Sequence, residues 1–135
     1  MYSLKHVTRL CNIAKTKGYS FPSGFKQKSL PWLRRHYNGI GAEWMPSCVR
    51  KIVTKCFSWM EPAAFLHDIE FLSENKSYWN FTKANLRLAY NGFKSGCIFF
   101  GISSALLCQL FGWSAWKEGK EVMAWHYYLN EGDGK

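Results

Sequence analysis

Phe65-Leu66-His67-Asp68-Ile69-Glu70-Phe71 is the stretch on which the reading of this chain turns. Apolar side chains surround two adjacent titratable groups, and burying such groups without partners is costly. Upstream lies a glycine-spaced loop, Tyr37-Asn38-Gly39-Ile40-Gly41. Gly39 and Gly41 give that loop backbone conformations closed to other residues. Its carbonyls, together with Asp68, form the kind of oxygen set calcium takes, about six to eight ligands in all. On a helix, His67 and Asp68 point about 100° apart. One can therefore ligate a metal while the other faces a second helix.

Working outward, Glu61-Pro62 breaks the chain, and Pro62 suits the start of the helix that carries His67 and Asp68 to about Glu74. Asn75-Lys76-Ser77 reads as a turn, with Ser77 placed to cap the next helix. That helix begins near Tyr78, bears Asn85 and continues past Gly92. Residues 46–60 form a third candidate, started by Pro46 and Ser47. Val49, Ile52, Val53, Cys56, Phe57 and Met60 share one of its faces, and Arg50, Lys51 and Lys55 the other. Trp44 and Trp59 stand at its ends. It reads either as a core-packed helix with a solvated basic face, or as an interfacial helix resting on anionic lipid. Residues 3–16 repeat Leu4, Val7, Leu10, Cys11 and Ile13 at helical spacing, and residues 18–31 read as loop.

A run of 22 residues, 95–116, carries no charge. As one helix it would be roughly 33 Å long, enough for a bilayer core of about 30 Å. Lys94 precedes it, and Trp113, Trp116 and Lys117 stand at its far end as an interface belt would. Cys97, Gly101 and Ala105 place small residues four apart, which allows close helix contact. The alternatives are a transmembrane helix, with the basic body on the cytoplasmic side, and a buried helix. The chain thus divides into an N-terminal helix and loop (1–36), a helical core (37–94), the hydrophobic helix (95–116) and a tail (117–135). The fold class is all-α.

Charge and cysteines narrow the partners. Of 18 Lys/Arg and 9 Asp/Glu, 15 and 5 respectively fall in residues 1–94. So basic a body favours an anionic surface. The basic residues are dispersed and no nucleic-acid motif appears, which disfavours nucleic acid. The five cysteines are widely spaced and contain no zinc pattern, so they read as reduced thiols. Residues 1–17 have no apolar segment of the signal-peptide kind.

The loop and the His-Asp helix together resemble the phospholipase A2 family. Tyr37-Asn38-Gly39-Ile40-Gly41 resembles its Y-x-G-x-G calcium loop, and residues 64–71 resemble its C-C-x-x-H-D-x-C-Y active-site helix. The stretch from Asn38 to His67-Asp68 is similar, more closely, to small phage and prophage proteins with an N-G-x-G-P loop and an A-x-x-I-H-D-x-x-Y helix. The resemblance covers about residues 37–90. It implies an antiparallel helix pair, with an added basic amphipathic helix and a C-terminal hydrophobic helix beyond the family plan.

By resemblance, the carbonyls of Tyr37, Gly39 and Gly41 and the carboxylate of Asp68 hold calcium. His67 acts as general base on a water, Asn85 stands where the family's second Asp orients the histidine, and the Ala42 N–H lies near the oxyanion. The chain departs from the family in Asn85, in Phe71 for a tyrosine, in the missing cysteine framework and in the longer insertion before His67. Glu70 reads as a solvent-exposed acid. The implied function is calcium-dependent ester hydrolysis at a membrane surface, with Trp44, Arg50, Lys51, Lys55 and Trp59 facing anionic lipid. The alternative is a catalytically inactive protein, anchored in the host membrane, that binds a protein partner through its hydrophobic helix.

Overall fold

The chain folds into α1 (Leu4–Thr16), α2 (Leu30–His36), α3 (Ser47–Cys56), α4 (Glu61–Phe71), α5 (Tyr78–Lys94) and α6 (Ile98–Phe111), with a 3-10 turn at Phe25–Gln27. The computed structural model describes residues 2–37, 39–40, 46–72 and 76–117, and every regular element among them is helical. Serines start three helices by accepting a free N–H of the first turn: Ser3 from His6, Ser29 from Trp32, and Ser77 from Asn80 at 3.2 Å. Pro62 sits in the first turn of α4, where a missing N–H costs nothing.

Helices α4, α5 and α6 run up, down and up. Phe71 meets Phe81 near the first turn and His67 meets Asn85 further along, so α4 and α5 are antiparallel. Gly92 meets Gly101 and Asn85 meets Gln109, so α5 and α6 are antiparallel too. α1 and α2 pack on the opposite side of α4, and Val7, Leu10, Ala14, Leu33, Phe65 and Leu66 fill the main core. The loop after α1 is tied to α5 by Asn91, which accepts the Ser20 N–H at 2.8 Å and donates to the Ser20 carbonyl at 3.0 Å. Asn91 is buried, so Asn91→Ala strands both backbone groups. It is expected to cost about 2 kcal/mol, measurable as a lowered melting temperature.

Three expectations are corrected. The uncharged run 95–116 is not one helix: α6 spans 14 residues, Ile98–Phe111. That is about 21 Å at about 1.5 Å per residue. Gly96, at φ +104°, turns the chain before α6, and the Gly112 N–H closes it on the Cys108 carbonyl. Residues 113–117 form a further helical turn that folds back, bringing Trp116 to 0 % exposure against Phe71 and Phe81 instead of into an interface belt. Among the described residues no helix is long and apolar enough to cross a membrane. The small-residue spacing does hold for Gly101 and Ala105, both buried.

Second, the expected apolar face of residues 46–60 is buried only in part: Met60 is buried and Val53 and Phe57 are half-buried. Val49 and Cys56 are exposed and Ile52 is 63 % exposed, whereas Thr54 turns inward and accepts the Ile40 N–H at 2.8 Å. That bond fixes the rotation of α3 against the preceding loop. Third, Glu70 is not solvent-exposed: it forms an ion pair with Arg87, and burial still raises its carboxyl above the ordinary carboxylate range. Helix α4 ends at Phe71, and Glu74 lies outside the described residues.

Candidate functional site

Helix α4 presents His67 to Asn85 on α5, and a directional chain of side chains continues from there. Gln109 of α6 donates from Nε2 to Tyr78 Oη at 2.9 Å and to Thr82 Oγ1 at 3.3 Å. Its Oε1 accepts from Asn85 Nδ2 at 2.7 Å. Asn85 Oδ1 is thereby left facing His67 Nε2 at 2.9 Å. Only a donor satisfies that oxygen, so His67 carries its proton on Nε2 and a lone pair on Nδ1.

The ring is enclosed. His67 is 8 % exposed and lies 4.5 Å from the Phe71 ring, which in turn meets Trp116 edge-on at 5.0 Å. Burial lowers the His67 pKa to about 4, an effect the Asn85 hydrogen bond opposes. The imidazole is therefore neutral at pH 7, as a general base must be. Stability is linked to this shift. Between the ordinary value of 6.5 and about 4, the unfolded chain takes up a proton that the folded chain refuses. His67 thus contributes fully above about pH 6.5, and the contribution fades as pH falls towards 4, on the order of 3 kcal/mol in all. His67→Gln is expected to flatten that part of the profile in pH-dependent melts; an unchanged slope would show that His67 is not buried as a neutral base.

The second half of the site surrounds the loop. Gly39 has φ +92°, and a Cβ there would stand 2.6 Å from Tyr2 Oη and 2.8 Å from Thr54 Oγ1, so both conformation and space require glycine. Tyr37 is buried, and its hydroxyl donates to Glu61 Oε1 at 2.9 Å. The same carboxylate accepts from His6 Nε2 at 2.7 Å. Burial, then the charges of Glu61 and Asp68, drive the Tyr37 pKa upward. Asp68 also acts on α6, where burial and then its charge push the Cys108 thiol up to about 11. The Asp68 charge is therefore felt both at the loop and at α6.

Among the described residues no three His, Cys, Asp or Glu side chains gather as a metal site.

The structure thus joins His67 to Asn85 and sets Asp68 within electrostatic reach of Tyr37. Lys51, Lys55 and Trp59 are exposed and Arg50 is half-buried on α3 or just beyond it. Gly41, Ala42 and Trp44 lie outside the described residues. Sequence reasoning missed the Gln109–Tyr78–Thr82 end of the hydrogen-bond chain and the His6–Glu61–Tyr37 cluster. A lone glutamine in an uncharged run was the available signal for the first. No family model, curated protein or solved structure matches this chain.

Proposed function

We propose that the chain is a calcium-dependent hydrolase of phospholipid esters, of the phospholipase A2 kind, acting at an anionic membrane surface. The observation that carries this reading is the 2.9 Å hydrogen bond between His67 Nε2 and Asn85 Oδ1. It holds the imidazole in the tautomer whose Nδ1 takes a proton from water. As that proton leaves, the water oxygen bonds to the ester carbonyl carbon. His67 then returns the proton to the departing alcohol oxygen as the ester bond breaks. The carbonyls of Tyr37, Gly39 and Gly41 and the Asp68 carboxylate would hold calcium, which when bound polarises the ester carbonyl and stabilises its oxyanion. The Ala42 N–H would add a donor there. Arg50, Lys51, Lys55 and the tryptophans Trp44 and Trp59 would face the lipid.

Two observations favour a second reading, a non-catalytic membrane-associated protein that binds a protein partner. His67 is 8 % exposed, and its orienting partner is an amide rather than a carboxylate. Fatty-acid release from phosphatidylglycerol vesicles in millimolar calcium separates the two. The hydrolase reading expects release by the wild type and a fall of at least about 100-fold in His67→Gln and Asp68→Asn. A wild type indistinguishable from His67→Gln would leave the second reading standing.

A further inference from the structure

Helix α6 is apolar nearly all round, as helices in cores or in lipid are, yet much of it is uncovered: Phe99 is 81 % and Leu110 71 % exposed. Its line of contact with α5 runs through Gly101, Ala105 and Gln109, and on α5 through Asn85, Ala89 and Gly92. The exposed stripe of each helix falls one residue later. On α6 it is Ile102, Leu106 and Leu110, joined by Phe99; on α5 it is Leu86, Tyr90 and Phe93, joined by Trp79. One residue is a turn of about 100°. The two helices are antiparallel and lie on opposite sides of the contact line, so the two turns bring both stripes to the same side of the pair. The result is one continuous apolar face.

Lysines stand among and beside its aromatic rings. Neither α5 nor α6 contains an acidic residue. Lys83 Nζ lies 5.3 Å from the centre of the Trp79 ring, Lys94 Nζ 5.6 Å from that of Tyr90, and Lys117 Nζ 5.7 Å from that of Trp113. Apolar stems with an ammonium head beside amphipathic rings are what a bilayer interface accepts. We propose that this α5–α6 face is a docking surface for an anionic lipid bilayer. A second copy of the chain fits it poorly, because the matching face would set lysine against lysine with no acid on either helix. α6 then lies flat, with Leu106 and Leu110 among the acyl chains and the lysines at the phosphates. The inference rests on the proposed lipid reaction and adds to the basic α3 region a second, apolar surface for the bilayer, and docking can be measured apart from hydrolysis.

The test is co-sedimentation of the full chain, carrying His67→Gln to suppress any hydrolysis, with phosphatidylglycerol or phosphatidylcholine vesicles. Binding is expected on the anionic vesicles and to be markedly weaker on the neutral ones. Leu106→Glu and Leu110→Glu should each lower the partition coefficient about tenfold or more. Lys83→Gln with Lys94→Gln should lower only the binding to phosphatidylglycerol. All four sites are exposed, so helix content by circular dichroism should stay unchanged. Variants that bind as their parent does overturn the proposal. So does a parent that binds no vesicle, as when a second copy or residues 118–135 occupy the face. Docking without hydrolysis by the wild-type chain would remove the proposed reaction and leave the surface; hydrolysis unaffected by Leu106→Glu and Leu110→Glu would do the reverse.

Discussion

Asn85→Asp is expected to raise the rate of ester hydrolysis by roughly 100-fold, judged from the comparable position of serine-protease triads. The amide oxygen of Asn85 orients His67 as a carboxylate would, through the 2.9 Å bond to Nε2. It supplies no negative charge when Nδ1 takes a proton from the attacking water. In the transition state the imidazolium forms at a buried position with only a neutral partner. A carboxylate there stabilises it, and an opposite charge in contact also raises the His67 pKa from about 4. Gln109 would turn its amide nitrogen towards the new acceptor, keeping the chain of bonds closed. Initial rates of fatty-acid release on matched vesicles measure the effect. A hydrolysing wild type whose rate does not change in Asn85→Asp would show that this pair takes no part in proton transfer.

Gly92→Val should be the most damaging change to the fold, costing about 3 kcal/mol. A Cβ on Gly92 would stand 2.5 Å from Gly101 Cα and 3.0 Å from Met60 Cε. Met60 is a flexible neighbour and can yield. Gly101 Cα is backbone and cannot, short of separating α5 from α6. That separation would also pull Gln109 from Asn85, so stability and the geometry at His67 fall together. A melt followed by circular dichroism should show a drop of roughly 10 °C. A shift of only a degree or two would mean that the two helices are not in backbone contact at this point.

Much of the helical order was legible because its signals are local. Ser77 and Pro62 mark helix starts through backbone N–H groups that need a partner or need to be missing, and both stand where they were expected. α2 was hidden because Pro31 looks like a breaker, although in a first turn it is a helix starter. An absence of charge over 95–116 reports apolarity and not where a helix stops. Gly96 and Gly112 set those limits, and their effect depends on α6 folding back along α5. Thr54 turned part of the expected face of α3 outward through one hydrogen bond to Ile40 of the preceding loop. At the site, the pairing of His67 with Asn85 followed from the resemblance. Gln109 carries no signal of its role within an uncharged run, because its partners Asn85, Tyr78 and Thr82 come within reach only in the folded hairpin.

Labelled water tests most directly whether His67 activates water against a phospholipid ester. Phosphatidylglycerol vesicles would be incubated with the wild-type chain in calcium and 18O-enriched water, and the released fatty acid analysed by mass spectrometry. Fatty acid carrying one 18O in its carboxylate is expected, in calcium only, and almost none with His67→Gln. Release no greater than that of His67→Gln, or fatty acid without the label, would contradict it.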